Sequence, residues 1–326
     1  MNRILLIFLI SMLFSCASDQ KKIDLKINRF EEALFQINID NVAELNDQWE
    51  KTFPVFNHIF ASQIMRKGNL SNIEYYNELL AFVQHKDMRE TYDSVRVLFE
   101  DISNIEEELE LAFSQFSNDF PSYPIPQITT FFGGFNYGVV AYENNIAIGL
   151  ENFLGQKSKY YSLIGKPNYL RFQKNKRFIT SNVLEVWFND QFGEYIGGKD
   201  LLSQLIYKGK LMYFINRLLP ELPMHDKFRF SKDQMRWVEE NEASIWKYML
   251  YKDLLFSKKE KEFRTLINYA PFAKGMPSES PGRVGYYIGY KLVNSFMQNN
   301  ELEIQKLMYL SDSRKFLKQS RYKPVK

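Results

Sequence analysis

A chain of 326 residues with 45% hydrophobic and 16% aromatic side chains has enough apolar material for a substantial core, which excludes wholesale disorder. Its 42 Lys and Arg face 39 Asp and Glu, a net charge of +3. With no strongly basic run, no nucleic-acid partner is expected. The one cysteine, Cys16, excludes an intrachain disulfide.

The chain opens on Asn2-Arg3, an apolar run over residues 4–10 and then small or apolar residues to Ser15. This is the pattern of a secretory signal, too short to span a bilayer comfortably. Leu13-Phe14-Ser15-Cys16 resembles a bacterial lipobox. It implies lipidation of the Cys16 thiol and cleavage before it, with a firm anchor from several acyl chains at ~0.8 kcal/mol per buried methylene. The expected organisation is a signal peptide over 1–15, a lipidated cysteine and tether over 16–26, and one globular domain over 27–326.

Ile23, Leu25 and Ile27 alternate with polar residues, the period of a short half-buried strand. Residues 30–118 read as mostly helical, with segments at 30–37, 41–51 and 57–65. Capping-box patterns at Ser71-Asn72-Ile73-Glu74 and Ser103-Asn104-Ile105-Glu106 open two more helices. The second carries Leu109, Ala112, Phe113 and Phe116 on one side. After Pro121, Pro124 and Pro126 the period changes. Residues 128–132, 139–142 and 146–150 read as short strands, with turns at Gly133-Gly134 and Glu143-Asn144-Asn145.

Two apolar helices follow, broken by Gly193, Gly197 and Gly198 and ended by Pro220. They carry Val183, Leu184, Trp187 and Phe188, then Leu201, Leu202, Leu205, Ile206 and Leu211, and are the expected centre of the core. Ser231-Lys232-Asp233-Gln234 is a third capping box. The helix it opens aligns Met235, Val238, Glu242, Ile245 and Met249 on one face. A Gly/Pro-rich stretch over 271–289 runs into a helix from Arg283 to about residue 297. A last helix over 301–310 precedes a basic tail (Lys315, Lys318, Arg321, Lys323, Lys326), expected to be solvated. The expected fold is mainly α, of the α+β kind, a single helical domain with a small mid-chain sheet.

No catalytic fingerprint accompanies this pattern. His58, His85 and His225 are the three histidines, and none pair at i, i+4. No Gly-x-Ser-x-Gly, P-loop or dinucleotide motif occurs. No metal, cofactor or catalytic residue is therefore expected. Glu185 lies between apolar neighbours in the first central helix, Glu242 lies on an apolar stripe, and Arg283 follows Pro281-Gly282. Read functionally, they form a polar site under the glycine-rich loop; read structurally, they are buried ion pairs that hold helix packing.

Asn28-Arg29-Phe30-Glu31, Thr129-Thr130-Phe131, Gly134-Phe135-Asn136-Tyr137-Gly138, Ile148-Gly149-Leu150 and Phe153-Leu154-Gly155 form one set of distinctive stretches. Ile206-Tyr207-Lys208-Gly209-Lys210-Leu211, Trp237-Val238-Glu239-Glu240-Asn241-Glu242-Ala243-Ser244-Ile245-Trp246 and Ser280-Pro281-Gly282-Arg283-Val284-Gly285 form another. Together, over essentially the whole chain, they resemble the gliding motility lipoproteins called GldB, from gliding Bacteroidota. That resemblance implies a lipid-anchored cell-envelope protein required for gliding, and no known catalytic reaction.

A more remote likeness is to zinc peptidases with a His-Glu-x-x-His helix and a Glu ligand on the next helix. Leu184-Glu185-Val186-Trp187-Phe188 stands where that motif belongs, and Lys208, before Gly209, where the third ligand belongs. Hydrophobic residues at both histidine positions and an ammonium at the third disfavour zinc. The likeness therefore implies a degenerate zincin-like core without metal.

The expected function is non-catalytic. The protein would be tethered by lipid to the inner or outer membrane, facing the periplasm, and contact other gliding-machinery or envelope proteins. Glu185, Lys208, Glu242 and Arg283 would line a binding groove under residues 275–285. Two other readings stay open: a hydrolase using carboxylates such as Glu185 and Glu242 as an acid/base pair, and a periplasmic solute-binding lipoprotein.

Overall fold

The computed structural model describes residues 22–67 and 73–324. The signal segment, Cys16, Ser71 of the first capping box and Lys326 of the tail lie outside the described residues.

The first strand, β1 (Ile27–Arg29), is shorter than its alternating pattern implies. It runs into α1 (Phe30–Leu34), then α2 (Val42–Thr52), α3 (Pro54–Ile59) with a π-helical continuation over Phe60–Ile64, α4 (Ile73–Gln84), α5 (Lys86–Leu98) and α6 (Ser103–Asp119). Residues 22–26 are not strand but lie against α6: Ile23 N–H donates to Ser114 Oγ at 3.1 Å, and Lys22 pairs with Glu110 at 3.1 Å. Phe30 meets the rings of Trp49, Phe53 and Phe56 edge-on with centroids 5.1–5.3 Å away, which clamps α1 to α2 and α3.

The capping box expected at Ser103 does not form. Ser103 is the first helical residue, and its N–H is capped by Asp101 Oδ1 at 2.8 Å. Glu106 instead accepts the Ile27 N–H at 2.9 Å and so fixes the start of β1.

Strands β2 (Ile128–Phe131), β3 (Val139–Tyr142) and β4 (Asn145–Gly149) complete a mixed sheet in the order β1-β2-β4-β3. β2 pairs parallel with both β1 and β4, and β3–β4 is an antiparallel hairpin. Glu143 and Asn144 both take positive φ (42° and 61°) at its tip, as a tight hairpin turn requires. The sheet therefore recruits an N-terminal strand in addition to the mid-chain three, and β2, paired on both sides, is buried throughout.

Beyond the sheet come α7 (Lys159–Leu163), α8 (Asn168–Arg171), α9 (Ile179–Phe192) and α10 (Leu201–Leu218). The last two are the expected central helices. Trp187 sits edge-on to Phe113 and Phe116 of α6, and Phe188 and Phe192 pack on Phe214 of α10. The core is thus an aromatic layer shared by α6, α9 and α10.

The remainder is α11 (Met224–Phe228), α12 (Lys232–Glu240), α13 (Glu242–Tyr251), α14 (Glu260–Ile267), α15 (Val284–Asn299), α16 (Ile304–Tyr309) and α17 (Ser313–Ser320). The capping box at Ser231 forms as read, with Gln234 reciprocating. Its helix, read as continuous, breaks at Asn241, whose side chain turns back to the Trp237 carbonyl at 2.8 Å. The apolar stripe survives the break, since Met235, Val238, Glu242, Ile245 and Met249 are all buried.

The basic tail is not simply solvated. Phe316 of α17 stacks on Phe296 of α15 at 4.0 Å, and Tyr322 reaches back to Glu242. Lys315, Lys318 and Lys323 face out while Phe316 faces in, a pattern diluted by the charge around it.

α10 and α15 pack most intimately of all. A Cβ on Gly209 would lie 2.1 Å from the Gly289 carbonyl oxygen, and one on Gly289 would lie 2.0 Å from that of Leu205. Glycine at both positions lets the two backbones touch.

Candidate functional site

Glu185 projects from α9 toward the α10–α15 crossing. Its Oε2 pairs with Arg229 Nη2, and Arg283 Nη2 lies 3.6 Å from the same oxygen. On the other side, Oε1 accepts the Tyr286 hydroxyl at 2.9 Å and has Lys208 Nζ at 3.9 Å. Three cations and a phenol thus converge on one carboxylate, leaving a surplus of positive charge in a largely buried place.

Two backbone features aim the guanidinium groups. Arg229 ends α11 in the left-handed conformation (φ 55°), and Arg283 precedes α15 in the same conformation (φ 65°). Each turns the chain sharply where a side chain must point back into the fold. Arg229 Nη1 is held by Asn182 Oδ1 at 2.7 Å, and Asn182 lies one turn before Glu185 on α9. Arg283 is clasped between aromatic rings, 4.3 Å from the Tyr269 centroid and 3.9 Å from that of Tyr286. Gly282 allows this: a Cβ there would lie 2.6 Å from the Ala270 nitrogen.

Burial works against charge on Arg229 and, with the nearby Arg283, pulls its pKa down to about 10. For Tyr286 burial pushes upward, but Arg283, Lys208 and Arg229 outweigh it and lower the phenol to about 8. Among the described residues, Arg229 Nε, Arg283 Nη2 and Gln173 Oε1 are buried without a hydrogen-bond partner. A cleft of about 380 Å³ lies against this cluster, and Gln173, Tyr269, Gly282 and Arg283 help to line it.

Of the residues singled out in the sequence, Glu185, Lys208 and Arg283 come together. Glu242 does not join them. At the start of α13 it accepts from Tyr322 at 2.9 Å and Tyr287 at 3.2 Å, and pairs with Lys291 at 3.4 Å. Tyr286 and Tyr287 are consecutive on α15 and point about 100° apart, so the two carboxylates occupy separate clusters with no shared partner. An acid/base pair of Glu185 with Glu242 has no support in this arrangement. Lys210, two residues after Lys208, donates instead to the carbonyls of Met308 and Leu310, and burial lowers its pKa to about 8.

Arg229, Tyr269 and Tyr286 are missed by the sequence reading. The available signal for Arg229 is a cation between two phenylalanines, Phe228 and Phe230, a placement that usually implies a buried partner. Leu184, Trp187 and Phe188, at or near the positions where a zinc peptidase carries ligands, are fully buried core residues. No cluster of three His, Cys, Asp or Glu suited to a metal occurs among the described residues. His85 has a local task, its Nδ1 capping α5 through the Asp87 N–H at 3.2 Å.

Fold and site together define a mainly α protein with a small mixed sheet and a cation-rich buried cluster where α10 and α15 cross. The family model described as gliding motility protein GldB matches residues 15–324, and the chain belongs to that family. Neither the curated proteins nor the solved structures searched gave a match. The chain is thus a gliding motility protein of a family not known for an enzymatic reaction. No helix among the described residues is long and apolar enough to cross a membrane.

Proposed function

We propose that the protein serves gliding as a non-catalytic component of the cell envelope. Lipid on Cys16 anchors it to a membrane, it faces the periplasm, and it acts through contacts with other gliding or envelope proteins. The observation that carries the non-catalytic reading is the surroundings of Glu185. A general base needs a free lone pair and a pKa near the working pH. This carboxylate instead has both oxygens engaged by Arg229, Arg283, Lys208 and Tyr286. It serves as the counter-ion of a packed cluster, as expected of a buried charge that must be compensated.

The anchor is tested by expressing Cys16→Ser in cells that lack the native protein and following it through fractionation. Release from the membrane fraction and loss of gliding are expected. Full retention on the membrane would end the lipid-anchor reading. The non-catalytic half requires gliding to survive a substitution that removes basicity at Glu185 without unfolding the chain.

A further inference from the structure

The cleft beside the charge cluster has a mixed lining. Tyr169, Phe172, Phe230 and Tyr269 contribute aromatic rings to it, and Gln173 and Arg283 are among several polar residues that line it. Arg283 is only 2% exposed; its Nη1 donates to the Phe228 carbonyl at 3.4 Å, while its Nη2, 3.6 Å from Glu185 Oε2, makes no hydrogen bond among the described residues, nor does the Gln173 Oε1. Gln173 is tied to the same cluster, its Nε2 donating to the Arg229 carbonyl at 3.0 Å.

The groups facing Arg283 are Glu185 from α9, Lys208 from α10, Arg229 after α11, Tyr269 after α14 and Tyr286 from α15. Glu185 is the one carboxylate among them, against three cations. A buried surplus of positive charge is costly unless an anion compensates it. A planar guanidinium matches a carboxylate edge to edge, and an aromatic wall suits an apolar body.

We infer that this cleft binds a carboxylate carried on an apolar body, such as the C-terminal residue of a peptide, with the Arg283 guanidinium as its partner. The inference does not depend on the anchor or on the gliding role, and its failure would leave both intact.

The test is calorimetric titration of the full chain in detergent with three probes: N-acetylphenylalanine, its uncharged amide, and inorganic phosphate. The acid is expected to bind one per chain, with the amide at least tenfold weaker and phosphate weaker than the acid. A tetrapeptide Ala-Ala-Ala-Phe with a free carboxyl should bind at least as well as the acid.

Arg283→Lys keeps the charge but loses the fork, and should weaken the acid about tenfold. A second readout uses the unaltered chain. An anion beside Arg283 offsets the field on Tyr286, so saturating acid should move its tyrosinate absorbance upward in pH from about 8. Equal binding of acid and amide, no binding of the acid, tighter binding of phosphate, exclusion of the peptide, or an unmoved tyrosinate titration would each overturn the inference.

Discussion

Gly209 of α10 and Gly289 of α15 face each other so closely that a Cβ on the first would lie 2.1 Å from the carbonyl oxygen of the second. That contact sets the position of the charge cluster. Lys208 is the immediate neighbour of Gly209, and Tyr286 lies one turn before Gly289 on α15. Gly209→Ala must push backbone against backbone, with no flexible side chain to yield. We expect a loss of about 3 kcal/mol, the upper part of the range for overpacking, read by urea denaturation. A change within 0.5 kcal/mol would show that the helices can separate at little cost.

Glu185 separates a structural role from a chemical one. Glu185→Ala leaves Arg229, Arg283 and Lys208 facing one another, and should cost about 3–5 kcal/mol, as loss of one partner of a buried ion pair does. Glu185→Gln keeps one acceptor oxygen, enough for Arg229 or Tyr286 but not for both, and should cost less than the alanine. Equal destabilisation by the two variants would mean that shape and hydrogen bonding at this position count for little.

Tyr286 makes stability depend on alkaline pH. Its phenol falls from 10.0 to about 8 in the fold. An acid with a depressed folded pKa gives stability that is fully present above the unfolded value and lost as pH falls through the folded one. The contribution therefore grows between pH 8 and 10, by roughly 2–3 kcal/mol at 1.36 kcal/mol per unit. The unfolding free energy of the native protein minus that of Tyr286→Phe should rise across this window. A flat difference would mean that Glu185, which accepts this hydroxyl at 2.9 Å, cancels the pull of the three cations on the phenol.

Glu151 gives the opposite slope at lower pH. It is fully buried, its Oε1 accepting from Gly133 and Phe135 N–H groups at 2.9 Å each. Burial pushes its pKa up from 4.5 to about 7 against the pull of those bonds. A raised carboxyl contributes stability that is complete below the unfolded pKa and lost as pH climbs through the folded one. The native protein should lose roughly 3 kcal/mol relative to Glu151→Gln between pH 4.5 and 7. Parallel stability curves for the two would contradict this.

The elements legible in the sequence are those with a clean period. The apolar spacing of α9 and α10, the Ser231 capping box and the β3–β4 hairpin turn each follow from local residue choice. Where charge crowds the chain, the period is hidden. α14 goes unread among Glu260, Lys261 and Glu262, although Phe263, Leu266 and Ile267 are buried, and α17 is masked by the basic tail around Phe316. The Ser103 pattern fails as a cap because Asp101 takes the task and Glu106 is drawn to Ile27, a contact 79 residues away in the chain.

The site divides in the same way. Glu185, Lys208 and Arg283 stand out because charge interrupts apolar or glycine-rich context. Glu242 stands out for the same reason but answers to a different cluster, since its partners Tyr322 and Lys291 are set by where α15 and the tail pack. Arg229 and Tyr286 join the site through left-handed turns and the α10–α15 crossing, which no local pattern encodes.

The most direct measurement is the gliding speed of single cells that carry Glu185→Gln in place of the native chain, with protein level and folded fraction determined in the same cells. Gliding at close to the native speed, once corrected for any fall in abundance, is expected if Glu185 only balances Arg229, Arg283 and Lys208. Cells that accumulate folded Glu185→Gln protein at the native level yet do not glide would contradict a non-catalytic role and point to chemistry at this carboxylate.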